Sequence, residues 1–173
     1  MPSDRREDVF RQWLGLGQGL MLKVARSFAT GREDQEDLLQ EILMQVWRSI
    51  PSFAERSEAS TWIYKVALNT AIAWRRGNAR RRPFRCLADA EDVPDWREAG
   101  PTDAEDRETL ERLYAAIRLL PKVDRSLLLL YLDSRNYGEM SEIMGISEAN
   151  VGARLTRARK RLAEAMKGAD HGP

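Results

Sequence analysis

The stretch Tyr137-Gly-Glu-Met-Ser-Glu-Ile-Met-Gly-Ile-Ser147, running into residues 148–161, decides the fold. It predicts a short helix over Tyr137–Met144, a tight turn at Gly145 and a second helix opening at Ser147. A serine at that N-cap accepts a backbone N–H that the helix cannot satisfy internally. On the second helix Val151, Leu155, Ala158, Leu162 and Met166 recur at i, i+4, i+7, i+11 and i+15 and form an apolar seam. Asn150, Arg154, Arg157 and Arg161 repeat at i, i+4, i+7 and i+11 and form a cationic ridge on a different side. A solvated basic helix on any bundle would show such a ridge. The turn and the double stripe together favour a helix-turn-helix, with one face for the domain and one for DNA.

The 173 residues can bury one good core or two small ones. Charged residues make up 32% and aromatics 8%, a composition that suits small bundles joined by a linker. Formal net charge is only +1, but the charges are segregated. Residues 75–85 hold six arginines and no acid, whereas residues 89–111 hold ten acids and two arginines. Blocks of opposite sign imply separate working surfaces. Cys86 is the only cysteine, which excludes an internal disulfide and points to the cytosol. Beside Arg85 it is either an inert linker thiol or a redox-sensitive one. His171 is alone, so no cysteine–histidine zinc site is expected. The N-terminal residues lack the apolar run of a secretory signal, and no window has the apolar length of a membrane span.

Outward from the helix-turn-helix, every other segment reads as helix or linker. Residues 9–28 are helical by pattern, with Phe10, Trp13, Leu14, Leu20, Val24 and Phe28 as core candidates. Gly15, Gly17 and Gly19 fall inside this segment, and each costs about 1 kcal/mol relative to alanine, which predicts a break or distortion. A nucleotide-binding loop is not supported, since no strand precedes the glycines and the full spacing is missing. Residues 34–50 are the cleanest amphipathic helix. Leu39, Leu43, Val46 and Ile50 form its inner stripe, Leu38, Ile42 and Trp47 widen it, and Asp37, Gln40, Glu41, Met44 and Arg48 lie outside. Pro51 ends it, and residues 51–60 form a loop. Ser60 or Thr61 then caps a third helix through Arg76. Its expected inner stripe is Ile63, Val66, Ala67, Thr70 and Trp74; Tyr64, Lys65, Asn69 and Arg76 face outward, with Trp62 at the border.

These segments form a first domain over residues 5–78. Residues 79–102 have no sustained apolar period and read as a flexible acidic linker. A second domain spans residues 103–168. Thr102 or Asp103 caps its first helix, which carries Leu110, Leu113, Ile117 and Leu120. Pro121 breaks it, and residues 123–132 form another helix around Leu127, Leu128, Leu130 and Tyr131 before the helix-turn-helix. With no alternating strand pattern, the fold class is all-α: two small helical domains, the C-terminal one containing the helix-turn-helix.

At this level the chain resembles a bacterial extracytoplasmic-function (ECF) sigma factor of the minimal class that has only regions 2 and 4. Three segments carry the likeness: Asp34-Gln-Glu-Asp-Leu-Leu-Gln-Glu41 with Trp47-Arg48; Thr61-Trp-Ile-Tyr-Lys-Val-Ala-Leu-Asn69 with Arg75-Arg76; and Leu120-Pro121 followed by residues 137–162. The resemblance implies a factor that binds core RNA polymerase and directs promoter-specific initiation, works in the cytoplasm and is held inactive by an anti-sigma factor. It implies no catalytic residue, cofactor, metal, membrane insertion or small-molecule substrate of its own.

The resemblance also implies roles for particular residues. Asp37, Gln40, Glu41, Met44 and Arg48 dock on the clamp coiled coil of the polymerase β′ subunit; simple solvation is the plainer account of the same residues. The 51–60 loop and third helix engage the −10 element and an extruded base. Trp62 and Tyr64 either stack on that base, worth ~1–3 kcal/mol each, or pack in the core. Lys65, Asn69, Arg75, Arg76 and Arg80 meet the backbone, where cations release counterions whatever the sequence. In the −35 element, Asn150 and Arg154 are expected to read base edges, and Arg157, Lys160 and Arg161 to clamp phosphates. Gly152 and Ala153 depart from the lysine and serine frequent in the family. Promoter elements two helical turns apart lie ~70 Å from each other, and residues 77–102, extended, reach ~85–95 Å.

Three rivals remain. An ordinary transcription factor leaves residues 34–76 unexplained. A sigma-like decoy that binds only an anti-sigma protein has no use for the arginine ridge. An enzyme would need a triad, paired carboxylates or metal-ligand spacing, and none is found.

Overall fold

The N-terminal helix, α1 (Ser3–Phe28), runs unbroken through its three glycines, so the expected break does not occur. Tertiary packing overrides the local helix penalty. A Cβ on Gly17 would lie 2.9 Å from Cγ2 of Ile63 and 3.2 Å from its Cδ1, so the glycine lets α1 approach the third helix closely. Gly15 and Gly19 face open space. The helix also begins earlier than its apolar pattern. Arg6 extends its first turns over Trp47, with its guanidinium 4.4 Å from the ring centroid and Nη2 donating to the Trp47 carbonyl at 2.7 Å.

The computed structural model describes residues 3–54, 57–74 and 104–169, and every regular element among them is helical. In the first unit, α2 (Arg32–Ser49) starts after Gly31, whose φ of 81° needs a residue without Cβ. Leu38, Leu39, Ile42, Leu43, Val46 and Ile50 are buried as the spacing predicts. A 3-10 turn (Ile50–Ser52) with Pro51 in its first turn closes the helix. Helix α3 (Ala59–Ala73) opens after Glu58, so Ser60 and Thr61 sit inside its first turn instead of capping it. Helices α1, α2 and α3 pack pairwise on one another.

The core face of α3 is rotated from its expected position. Thr61, Ile63, Tyr64, Ala67, Leu68 and Ala71 are buried, whereas Val66, Thr70 and Trp74 are only half-buried. Tyr64, expected on the outer side, is 1% exposed. A helix squeezed between two others buries a wide arc, and its aromatic ring supplies more apolar area than Val66 or Thr70 would.

The second unit contains α4 (Ala104–Arg118), α5 (Lys122–Leu132), α6 (Tyr137–Met144) and α7 (Glu148–Ala169). Helices α4, α5 and α6 all pack on α7. Tyr114, Ala116 and Ile117 supply the α4 contribution to the core, Leu120 adds to it just past the helix end, and Leu110 and Leu113 are half-buried. Arg125 ties the α4–α5 corner, its Nη2 donating to the carbonyls of Arg118 and Leu120 at 2.5 and 2.9 Å. The linker of residues 79–102, the Thr102/Asp103 cap, Cys86 and His171 lie outside the described residues.

The α1–α3 contact yields a stability test. Gly17→Val is expected to destabilise the protein by about 1–3 kcal/mol, because buried, β-branched Ile63 has little freedom to move. Gly15→Ala and Gly19→Ala are expected to stabilise it by about 0.5–1 kcal/mol. Urea denaturation of the three variants checks the contrast, and an equal response at all three positions would reject the close-approach account.

Candidate nucleic-acid interface

The helix-turn-helix is set by hydrogen bonds that its polar residues make locally. Asn136 caps α6: its Oδ1 accepts from the Glu139 N–H at 3.0 Å, and Glu139 Oε2 accepts from the Asn136 N–H at 2.8 Å. Gly145 ends α6 in the left-handed region, φ 66°, and its N–H donates to the Ser141 carbonyl. Ser141 Oγ donates to the Ile146 carbonyl at 2.6 Å and braces the turn. Ser147 Oγ then accepts from the Asn150 N–H at 3.3 Å, while its carbonyl accepts from the Val151 N–H. The short helix, turn and serine cap therefore stand where the spacing predicts.

Burial gives α7 its sides. Val151, Leu155 and Ala158 are buried at 1% exposure or less. Leu162 and Met166, further along the same seam, are half-buried. Asn150, Arg157, Lys160 and Arg161 are exposed, together with Ala153 and Thr156. Gly152 is half-buried because the Tyr137 ring lies over it, 3.3 Å from where a Cβ would stand. Arg159 places its guanidinium 5.0 Å from the Tyr131 ring centroid, a cation–π contact within the unit.

Arg154 differs from the rest of the expected ridge. It is half-buried, and its Nη1 donates to Asp124 Oδ1 at 2.9 Å. Arg161 Nη1 lies 3.6 Å from Asp124 Oδ2. Asp124, on α5, is itself 3% exposed. A carboxylate that deep is costly unless its charge is paired, and two guanidiniums from α7 face it. Asp124 was not singled out by sequence. A signal was present, because it sits one helical turn ahead of Leu127 and Leu128 and shares their buried face.

Of the first unit's expected residues, those described, apart from buried Tyr64, lie on the outer sides of α2 and α3. On α2, Gln40 and Arg48 are exposed; Asp37, Glu41 and Met44 are half-exposed, and Glu41 Oε1 accepts from Gln45 Nε2 at 2.8 Å. On α3, Lys65 and Asn69 are exposed. Trp62 is half-buried, and its Nε1 donates to Ser49 Oγ at 3.0 Å. Phe53 stands between Trp62 and Trp13, with ring centroids 5.7 and 5.1 Å away, so the entry to the 51–60 loop is tied to α1 and α3. This aromatic relay was not anticipated. Arg75, Arg76 and Arg80 lie outside the described residues. Among the described residues no cluster of acidic, histidine or cysteine side chains could hold a metal ion, and no helix is long and apolar enough to cross a membrane.

Similarity to known proteins follows the same division. The family model for Sigma-70 region 2 matches residues 17–82, and that for Sigma-70, region 4 matches residues 110–162. The chain is 31% identical to the ECF RNA polymerase sigma-E factor of Haemophilus influenzae over 76% of its own length and 74% of the relative's. It is 35% identical to the ECF RNA polymerase sigma factor SigM of Bacillus subtilis over 73% and 76% of the two lengths. Among solved structures, it is similar to the sigma factor RpoE of Bartonella quintana, determined in complex with the anti-sigma factor NepR. The TM-score is 0.64 at 25% identity, covering 91% of this chain and 96% of that one. CnrH in complex with the cytosolic domain of CnrY shares the fold, with a TM-score of 0.65 at 20% identity over 94% and 90%.

The capping box makes a pH-dependent prediction. The Asn136 N–H, and then the Arg135 guanidinium, hold the Glu139 carboxyl below the usual glutamate range. A carboxyl acidified by folding stabilises the fold above its unfolded pKa, and that contribution is lost as pH falls through the folded value. Glu139→Gln should therefore melt below wild type at neutral pH, with the gap narrowing once pH drops under ~4.3. Asn136→Ala should cost about 1 kcal/mol at neutral pH. Thermal melts across pH check both, and a pH-independent gap for Glu139→Gln would contradict the first.

Proposed function

The chain belongs to the ECF RNA polymerase sigma factors, and from that premise we propose how its parts share the work of promoter recognition. The protein directs promoter-specific transcription initiation by core RNA polymerase. Region 2 takes residues 5–78 and region 4 residues 103–168, with residues 79–102 as the tether. Synthesis of RNA belongs to the polymerase; the sigma chain contributes binding, in the cytoplasm where the chromosome lies.

One observation carries this reading. Helix α7 buries an apolar seam and leaves a cationic side open, at the end of a helix-turn-helix whose turn is braced by Gly145 and Ser141. That is the form of a helix made to enter the major groove. The α2 surface of Asp37, Gln40, Glu41, Met44 and Arg48 is assigned to the β′ clamp coiled coil. Lys65 and Asn69 on α3, with Arg75, Arg76 and Arg80, are assigned to the −10 element. Trp62 borders the same surface, whereas Tyr64 acts from within the core by holding α3 in place. Control by an anti-sigma factor is supported by the Bartonella quintana relative, which was solved bound to one.

Transcription in vitro with core polymerase, on a genomic fragment library, tests the assignment. Starts that share two upstream boxes are expected; transcripts no different from core alone, with every inhibitor absent, would refute it. Asp37→Lys should weaken core binding about tenfold, since reversing one rim charge is worth about 1.4 kcal/mol in this range. Titration of labelled protein against core polymerase measures it.

A further inference from the structure

Of the four polar residues on the α7 ridge, Arg154 alone is half-buried, while Asn150, Arg157 and Arg161 are exposed. We propose that Asp124 is a specificity-positioning residue: it withdraws Arg154 from the promoter and leaves base reading to Asn150 and Arg157. This rests on the reading of α7 as the −35 recognition helix and reverses the roles that the family resemblance implied for Arg154 and Arg157.

Angular position explains the arrangement. A helix turns about 100° per residue, so Arg154 and Arg161 lie about 40° and 60° round from buried Ala158, whereas Arg157 lies about 100° away. The two nearer arginines border the seam and reach across it to α5. Asp124 receives them at 2.9 and 3.6 Å. Returning the Arg154 side chain to solvent would give up its pairing with the buried carboxylate at 2.9 Å, and that pairing offsets the cost of its Nε, which is buried without a hydrogen-bond partner. Arg161 is more exposed, at 54% of its side chain against 34% for Arg154, and stays free to touch a phosphate from its other edge.

The open edge is then Asn150 and Ala153 near the start of α7 and Arg157 one turn further on. Asparagine pairs bidentately with adenine and arginine with guanine in the major groove. Ala153 between them is small enough to admit a base edge or a thymine methyl. Asp124 acts at a distance from DNA: its carboxylate sets which guanidinium is available, and its burial fixes the rotation of α7 against α5.

The full-length protein, assembled with core polymerase, is given promoters randomised in the upstream element, and transcribed sequences are counted. Arg157→Ala is expected to flatten discrimination at one or two positions by about 5- to 150-fold, the range of a bidentate base contact. Arg154→Ala should lower output without moving any position's preference more than about twofold, a threshold well under the loss of one such contact. Asp124→Asn should release Arg154 and create a preference that wild type lacks, and Asp124→Asn with Arg154→Ala should abolish it. Arg154→Ala needs no change at Asp124, so it tests the proposal even if Asp124→Asn folds poorly. Loss of discrimination in Arg154→Ala equal to that in Arg157→Ala would overturn the proposal. So would a uniform drop in Asp124→Asn with preferences unchanged, or a new preference that survives loss of Arg154. Absence of specific starts from wild type would instead sink the sigma reading beneath it.

Discussion

Helix α7 can offer a cationic side only because its other side is held by three helices at once. Val151, Leu155 and Ala158 are buried against the remainder of the second unit. Each fully buried large aliphatic side chain contributes roughly 1.5–3 kcal/mol, so turning the helix about its axis would expose the seam at prohibitive cost. Rotation is thereby fixed, and with it the identity of every residue facing outward. Asp124 adds direction to this apolar hold, because an ion pair specifies one orientation where packing alone tolerates several.

Net charge describes this protein poorly. A formal +1 conceals a site in which cations are sorted by what they touch. Arg154 neutralises a buried carboxylate, Arg125 ties two carbonyls, Arg159 covers a tyrosine ring and Arg6 a tryptophan. Arg157 and Lys160 remain on the open side. Guanidinium suits each structural task because it is planar, always charged and weakly hydrated. An arginine count therefore overstates the surface available to phosphate.

Much of this was legible beforehand, and the exceptions have physical causes. The all-α class, the α6–Gly145–α7 motif and the buried stripe of α2 follow from period and capping, which are local. The glycines of α1 misled because propensity is local too, and the reason for Gly17 lies 46 residues away at Ile63. The face of α3 was misjudged because a helix with two neighbours buries a wider arc than one stripe, taking in Tyr64 and Leu68. The pairing of Arg154 with Asp124 was not legible because spacing says which side of a helix a residue occupies, and says nothing of an acid on the next helix. Relatedness to a family identified the task of each unit, but it could not say which guanidinium was already engaged.

The near-contact of Gly17 with Ile63 ties two distant positions into a single allotment of space. A methyl added at one can be accommodated only by carving it from the other. Homologues drifting under this restriction should exchange bulk between the pair, so that a larger residue at the first site travels with a slimmer, unbranched one at the second. Such reciprocal substitution would be the evolutionary trace of two backbones brought close together.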